Sequence, residues 1–477
     1  MLFNSFEFII FLPIVFLLYW FVFKKLKWQN ALVVVASYVF YGWWDWRFLL
    51  LIAFTTVCSY FSGILLEKSK DNRVRQKWIS AGNITINLLI LWFFKYFNFF
   101  GESFAVLLNI FGLKADWVTL YIVLPVGISF YTFQALSYTI DVYRGKLEPT
   151  HDVIAFFAFI SFFPQLVAGP IERATHLLPQ FQRSRHFDYE QGADGMRQIL
   201  WGMFKKIVVA DNCAIVVNRV FADYASIQSP SLMVVAAMFS MQIYCDFSGY
   251  SDIAIGTAKL FGIRLMRNFS TPYFSRDIAE FWRRWHISLT TWFRDYLYIP
   301  LGGSRTTKAK IVRNTFVIFL VSGFWHGANW TFIVWGAYHA LLFLPLILSG
   351  RNRKYTNIVA EGRLLPSLKE CVQILVTFVL VTIGWIIFRS ETIGQAVSYI
   401  GCIFSNWDWS LDAAIHPFYI LLIVFMLLVE WFLRKGEYGL DIKRLPMVVR
   451  WGTYVALCAI ILLYGAFHSE QFIYFQF

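Results

Sequence analysis

Two of the eight histidines stand where an ionisable ring is expensive to place. His326 lies in Gly323-Phe-Trp-His-Gly-Ala-Asn-Trp330, inside a stretch, 314–348, that carries no Lys, Arg, Asp or Glu. An ionisable group at membrane depth costs ~3 kcal/mol or more and by default marks function. Gly323 and Gly327 can break a helix there, and unwound backbone at depth is tolerated where it is buried in protein or lines a cavity. A neutral imidazole beside a cavity is suited to take the proton of a hydroxyl. The plainer reading is a histidine hydrogen-bonded to a neighbouring helix as packing glue, and spacing alone divides the two evenly.

His286 falls in Phe281-Trp-Arg-Arg-Trp-His-Ile-Ser-Leu-Thr-Thr-Trp292. Read as one continuous helix, this segment puts Trp282 and Trp285 on a side with Ser288, Leu289 and Trp292, and turns Arg283 and Arg284 elsewhere. Cations here, Arg283 and Arg294 among them, suit an anionic acyl donor such as a coenzyme A thioester, gripped through its phosphates. A juxtamembrane basic helix holding anionic lipid headgroups explains the same residues and, taken alone, explains them better. Cys245-Asp-Phe-Ser-Gly-Tyr-Ser-Asp252 is too short for an EF-hand loop and reads as capping and hydrogen bonding. Pro300-Leu-Gly-Gly-Ser-Arg305 is a turn without the Lys-Ser/Thr ending of a phosphate loop. There is no G-x-S-x-G, no H-E-x-x-H and no His with Asp five residues later, which disfavours a serine hydrolase, a zincin and the common soluble acyltransferase box.

The elements that must position these residues cross a bilayer. Hydrophobic residues make up 58% of the 477 positions and charged residues 15%, too few charges for an all-round polar surface. Apolar segments near 6–23, 29–45, 48–66, 79–95, 119–138, 152–169, 200–218, 231–246, 314–348, 370–388, 415–433 and 450–467 are candidate spans. The stretch 314–348 is too long for one crossing and should hold two elements, and 98–113 is a candidate further short one. The expectation is an all-α polytopic protein of about eleven to thirteen membrane elements, some re-entrant, in a single domain over 1–477. Met1 to Trp20 lacks the features of a cleaved signal peptide. Basic clusters at Lys24, Lys25 and Lys27 and at Lys68 to Lys77 are separated by an even number of spans, so both can be cytoplasmic with the N-terminus outside.

The formal charge of +13 fits basic cytoplasmic loops, and no soluble basic module argues for nucleic acid. The region 264–313 holds ten Lys or Arg with interleaved aromatics, which suggests an interfacial helix or one lining a wet cavity. The six cysteines form no C-x-x-C pair and read as small hydrophobes, with no metal site.

In order along the chain, five blocks resemble the membrane-bound O-acyltransferase family, closest to its bacterial alginate- and peptidoglycan-acetylating branch. They are Leu124-Pro-Val-Gly-Ile-Ser-Phe-Tyr131, Phe162-Phe-Pro-Gln-Leu-Val-Ala-Gly-Pro-Ile171, Gln242 to Asp252, Phe281 to Arg305, and Gly323 to Trp330. The resemblance implies helices around a central funnel, His326 as the catalytic histidine and His286 as a second motif histidine. The His286 segment's own reading puts donor binding at Arg283, Trp285 and Arg294, with acetyl-CoA or another acyl thioester as donor substrate and no bound cofactor. The resemblance further implies a bacterial inner-membrane location, an extracytoplasmic esterase-like acetyltransferase partner and an envelope glycan as final acceptor. The ending Gln471-Phe-Ile-Tyr-Phe-Gln-Phe477 is either an aromatic belt that anchors the last span or, by resemblance, a tail whose Tyr474 carries the acyl group transiently. The rival from another class is a transporter or flippase with His326 in its permeation path, for which matching broken helices in two halves are missing.

Overall fold

The computed structural model describes residues 1–113, 119–167 and 169–467. Its elements there are helices, and six are long and apolar enough to cross a membrane: Phe48–Lys68, Arg73–Ile110, Ser229–Leu260, Trp330–Leu348, Leu368–Arg389 and Met447–Tyr464. Shorter apolar helices, among them Phe6–Val22 and Pro417–Phe432, join them. The expected spans all fall on helices, with differences at their limits. Residues 98–110 do not form a separate element but continue the 38-residue helix Arg73–Ile110. The segment expected from 119 becomes helical at Ile128, after Gly127 in the left-handed region. Sequence hydropathy also passed over Ile393–Ser405, an amphipathic helix too short to span.

The chain forms two compact units, Met1–Gly192 with Ala258–Met266, and Ala193–Thr257 with Arg267–Phe477. In the first, Ile128–Tyr143 is buried along nearly its whole length. It needs polar glue, because lipid provides no hydrophobic force between helices. Asn83 of the Arg73–Ile110 helix donates to Thr139 Oγ1 at 2.6 Å, and Gly63 leaves room for the Tyr138 ring.

In the second unit Ser229–Leu260 is the buried helix. Glycines seven residues apart let another backbone touch it: a Cβ at Gly202 would strike Gly249 O, and one at Gly256 would strike Gly195 O. That close approach places Lys205 and Lys206 against the acids of Ser229–Leu260. Lys205 meets Asp252 at 2.6 Å and Lys206 meets Asp246 at 2.7 Å. The Cys245–Asp252 block therefore lies inside a helix rather than at a cap, and its acids compensate buried ammonium groups.

Candidate active site

His326 is the last residue of the helix Lys308–His326, and Gly327 leaves it in extended conformation. Asn329 caps the next helix, Trp330–Leu348, by accepting the Thr331 N–H at 3.0 Å. The break expected within the uncharged stretch thus falls on the three residues that follow the histidine, Gly327 to Asn329. Two glycines press the helices together: a Cβ at Gly323 would collide with Phe332 O, and one at Gly336 with Phe319 O. A Cβ at Gly327 would collide with the Phe332 ring. His326 is buried, and its ring meets Trp335 at 5.2 Å and 88°, Phe388 at 5.4 Å and 79°, and Trp325 at 5.0 Å.

At His286 the expected continuous helix does not form. Ile278–Arg284 and Ile287–Phe293 are separate short helices, and His286 between them has φ 44° and ψ 55°. A left-handed non-glycine residue carries about 1–3 kcal/mol of strain, which surrounding contacts must offset. Asn268 supplies them. Its main-chain carbonyl accepts Ile287 N–H at 2.9 Å, and its Oδ1 accepts the Ser288 hydroxyl at 2.9 Å. Its Oδ1 also accepts the Ser288 backbone N–H at 3.4 Å, which can only donate and so identifies that atom as the acceptor, while Nδ2 donates to Ser251 Oγ at 3.2 Å. His286 Nδ1, 3.1 Å from that Oδ1, is therefore the protonated nitrogen, and Nε2 is the basic one. Burial pushes the His286 imidazole down to about 3, so the ring is neutral near pH 7. Trp325 links the two histidines, 6.0 Å from the His286 ring and 5.0 Å from the His326 ring.

The three residues read as donor ligands occupy different settings. Trp285 is buried, 4.9 Å from Trp385 and 5.1 Å from Phe269. Arg283 donates to the carbonyls of Asn352 at 2.8 Å and Tyr355 at 2.6 Å, which ties its helix to the loop after Leu348. Arg294 is exposed and pairs with its neighbour Asp295 at 2.7 Å. Tyr474 lies outside the described residues.

The sequence reading missed His339, which is buried in the same uncharged run. Its Nδ1 faces Trp282 Nε1 at 3.4 Å, and its ring lies 5.0 Å from Trp335. It also missed a small polar cavity of about 20 Å³, room for about one water, lined by Lys205, Ser251, Asp252, Arg267, Asn268 and Glu430. Glu430 accepts Tyr244 O–H at 2.8 Å, and Lys205 donates to Ser248 Oγ at 2.9 Å. Through Ser251 and Asn268 this cavity joins the hydrogen bonds that hold His286. The signal was present, since Lys205, Asp252 and Glu430 are charges within apolar segments.

Two buried histidines thus stand on either side of Trp325 in a polytopic helical protein. The profile of the MBOAT, membrane-bound O-acyltransferase, family matches residues 146–383, a range that contains both histidines. The chain belongs to that family and is an O-acyltransferase. It is 42% identical over 417 residues to the probable alginate O-acetylase AlgI of Pseudomonas aeruginosa, covering 86% of this chain and 76% of the relative. It is 34% identical over 435 residues to the peptidoglycan O-acetyltransferase of Helicobacter pylori, covering 84% and 79%. Similarity to the teichoic acid D-alanyltransferase of Bacillus subtilis is 30% over 282 residues, covering 56% and 68%.

Proposed function

We propose that this protein takes an acetyl group from a cytoplasmic thioester, acetyl-CoA, and passes it across the inner membrane for O-acetylation of an extracytoplasmic polysaccharide. The observation that carries the reading is the pair of buried histidines on either side of Trp325, one at a broken helix in an uncharged stretch. His326 takes the proton of the attacking hydroxyl. The oxygen adds to the thioester carbonyl, a C–O bond forms and the C–S bond breaks. The imidazolium then returns its proton to the departing thiolate, so charge and protons balance without an outside acid. Asn268 holds His286 with Nε2 as an acceptor, and that orientation suits His286 to align the hydroxyl or the donor rather than to protonate it. The donor enters at the basic segment 264–313, where Arg294 offers an exposed cation, Arg283 braces the helix and Trp285 walls the site. An esterase-like partner outside the membrane receives the acetyl group and delivers it to the glycan. The relatives named for alginate and peptidoglycan support the acetyl and polysaccharide parts of the reading.

Tyr474 is the proposed intermediate acceptor. A phenol has pKa about 10, so a histidine can deprotonate it, and the resulting aryl ester remains an active acyl donor. The test uses membrane vesicles from cells that also hold the extracytoplasmic partner and the glycan, given radiolabelled acetyl-CoA and scored for release of free coenzyme A and for label on protein and glycan. Wild type should release coenzyme A and label both. Tyr474→Phe keeps the ring but should lose label on protein and glycan together. Normal glycan labelling by that variant leaves the tail as an interfacial anchor, and no coenzyme A release by wild type overturns the reaction itself.

A further inference from the structure

The first unit has a cleft of about 370 Å³ with no role assigned above, lined by Phe16, Trp20, Phe21, Lys24, Arg185 and Phe187. Gln29 and His186 complete it. Its composition is two-sided. Four aromatic rings form the walls: Trp20 and Phe187 meet edge to face at 5.6 Å, and Phe16 and Phe187 at 5.8 Å. Lys24 and Arg185 supply positive charge with His186 beside them, and among the described residues no acid lines the cleft.

Arg185 is built into the cleft, not draped over it. It donates to Asn30 Oδ1, and its guanidinium lies 5.5 Å from the Tyr19 ring and 5.4 Å from the Phe181 ring. Its Nε is buried without a hydrogen-bond partner, an arrangement that water or an anion would normally relieve. Trp20 is fixed in turn, donating to Leu260 O at 2.9 Å. Phe21 and Phe187 are exposed at the mouth. The cleft sits where the first apolar helix, Phe6–Val22, gives way to Lys24, Lys25 and Lys27, the level at which a span leaves hydrocarbon for headgroups.

We propose that this cleft is a binding site for one anionic phospholipid, with the phosphodiester between Lys24 and Arg185 and an acyl chain against Phe16, Phe21 and Phe187. A soluble anion would use the cations and leave the aromatic wall idle. A zwitterionic lipid would use the wall but gain less from two cations with no acid between them. The site needs both halves, and only an anionic amphiphile offers both.

The test is native mass spectrometry of the purified full chain, with phosphatidylglycerol or phosphatidylcholine added at equal concentration and inorganic phosphate as a third arm. Phosphatidylglycerol should be retained at least about fivefold more tightly than phosphatidylcholine, from roughly a fivefold gain per basic residue near the headgroup. Lys24→Gln should remove most of that preference. Phe187→Ser should weaken both lipids without changing their ratio. Arg185 is left intact because its loss threatens the fold. Both variants are scored beside wild type for thermal stability, so that misfolding is seen directly. Equal retention of the two lipids, or displacement of the lipid by millimolar phosphate, overturns the proposal. Because lipid retention is read without any acyl transfer, the outcome stands apart from the proposed reaction.

Discussion

At His326 the chain holds an imidazole with backbone contact and ring edges, whereas at His286 it uses hydrogen bonds around a strained residue. The Gly323 and Gly336 contacts bring two helices so close that the three-residue turn between them has few conformations open to it. Trp335 and Phe388 then fix the ring from the side. His286 has no such hairpin. Its left-handed backbone and its ring depend on one residue, Asn268, whose main chain and side chain serve Ile287, Ser288 and Ser251 besides the imidazole. Close packing tolerates no change of volume, while a hydrogen-bonded position tolerates a change of shape and fails when a buried acceptor disappears. The two histidines should therefore respond differently to substitution nearby.

The largest expected effect is at His326 itself. His326→Gln keeps the volume and a hydrogen-bonding tip but removes the proposed base, and turnover should fall 10²–10⁴-fold while protein abundance and donor binding persist. Retention of more than about a tenth of wild-type turnover would assign the ring to packing and erase the functional contrast with His286.

Next comes Asn268. Asn268→Ala leaves the His286 Nδ1–H and the Ser288 hydroxyl buried without their acceptor, worth about 1–3 kcal/mol, so kcat should fall roughly 10–100-fold. A merely structural loss would lower stability and leave the pH profile in place. Asn268→Asp separates the two cases. A carboxylate beside His286 favours the imidazolium, so the acid limb of the rate profile should move to higher pH. The folded-state pKa of His286 would then be raised relative to wild type, and activity that needs the neutral ring would be lost as pH falls through the new value. An unmoved acid limb in an active Asn268→Asp enzyme sinks the orienting role.

Gly323→Ala probes the other kind of support. The added Cβ meets a backbone carbonyl rather than a flexible side-chain tip, so the hairpin must open, at about 1–3 kcal/mol. A lowered melting temperature with a proportionate fall in active protein is expected, and an unchanged pH profile. Normal stability would mean that the two helices are not in backbone contact.

These contrasts also explain how much could be read in the residues alone. The uncharged stretch 314–348, with glycines flanking its histidine, announced two elements and a break, because length and hydropathy leave few alternatives. His286 was marked by its neighbours, but its helix was drawn as continuous. Nothing local in Arg-Trp-His-Ile forces a left-handed residue, and the cause, Asn268, lies eighteen positions earlier. Asn268 belongs to a basic loop and carries no pattern of its own. His339 was overlooked for the opposite reason: in an apolar helix a second histidine resembles the first in hydropathy, and only the packed Trp282 and Trp335 show what it touches. The buried pairs Lys205–Asp252 and Lys206–Asp246 were foreseeable as charges that lipid would not accept, but not as partners of each other.

The smallest expected effect concerns the cations beside His286, where the comparison becomes one between two arginines of a single segment. Arg283 spends its guanidinium on the carbonyls of Asn352 and Tyr355, while Arg294 is exposed beside Asp295. If both grip the donor phosphates, reversing either should raise KM for acetyl-CoA, and reversing both should raise it most. Their settings imply an unequal division. Arg294→Glu removes a solvent-exposed attraction and adds a repulsion, each worth on the order of 0.2–1 kcal/mol, so KM should rise a few-fold with kcat and melting temperature unchanged. Arg283→Glu also strips two carbonyls of their donor and brings a carboxylate against them, so stability should fall together with donor affinity. Measuring KM, kcat and melting temperature for both single variants and the double decides the division. Unchanged KM in the doubly reversed protein would remove this segment from the donor site and leave Arg283 as a brace for the helix that precedes His286.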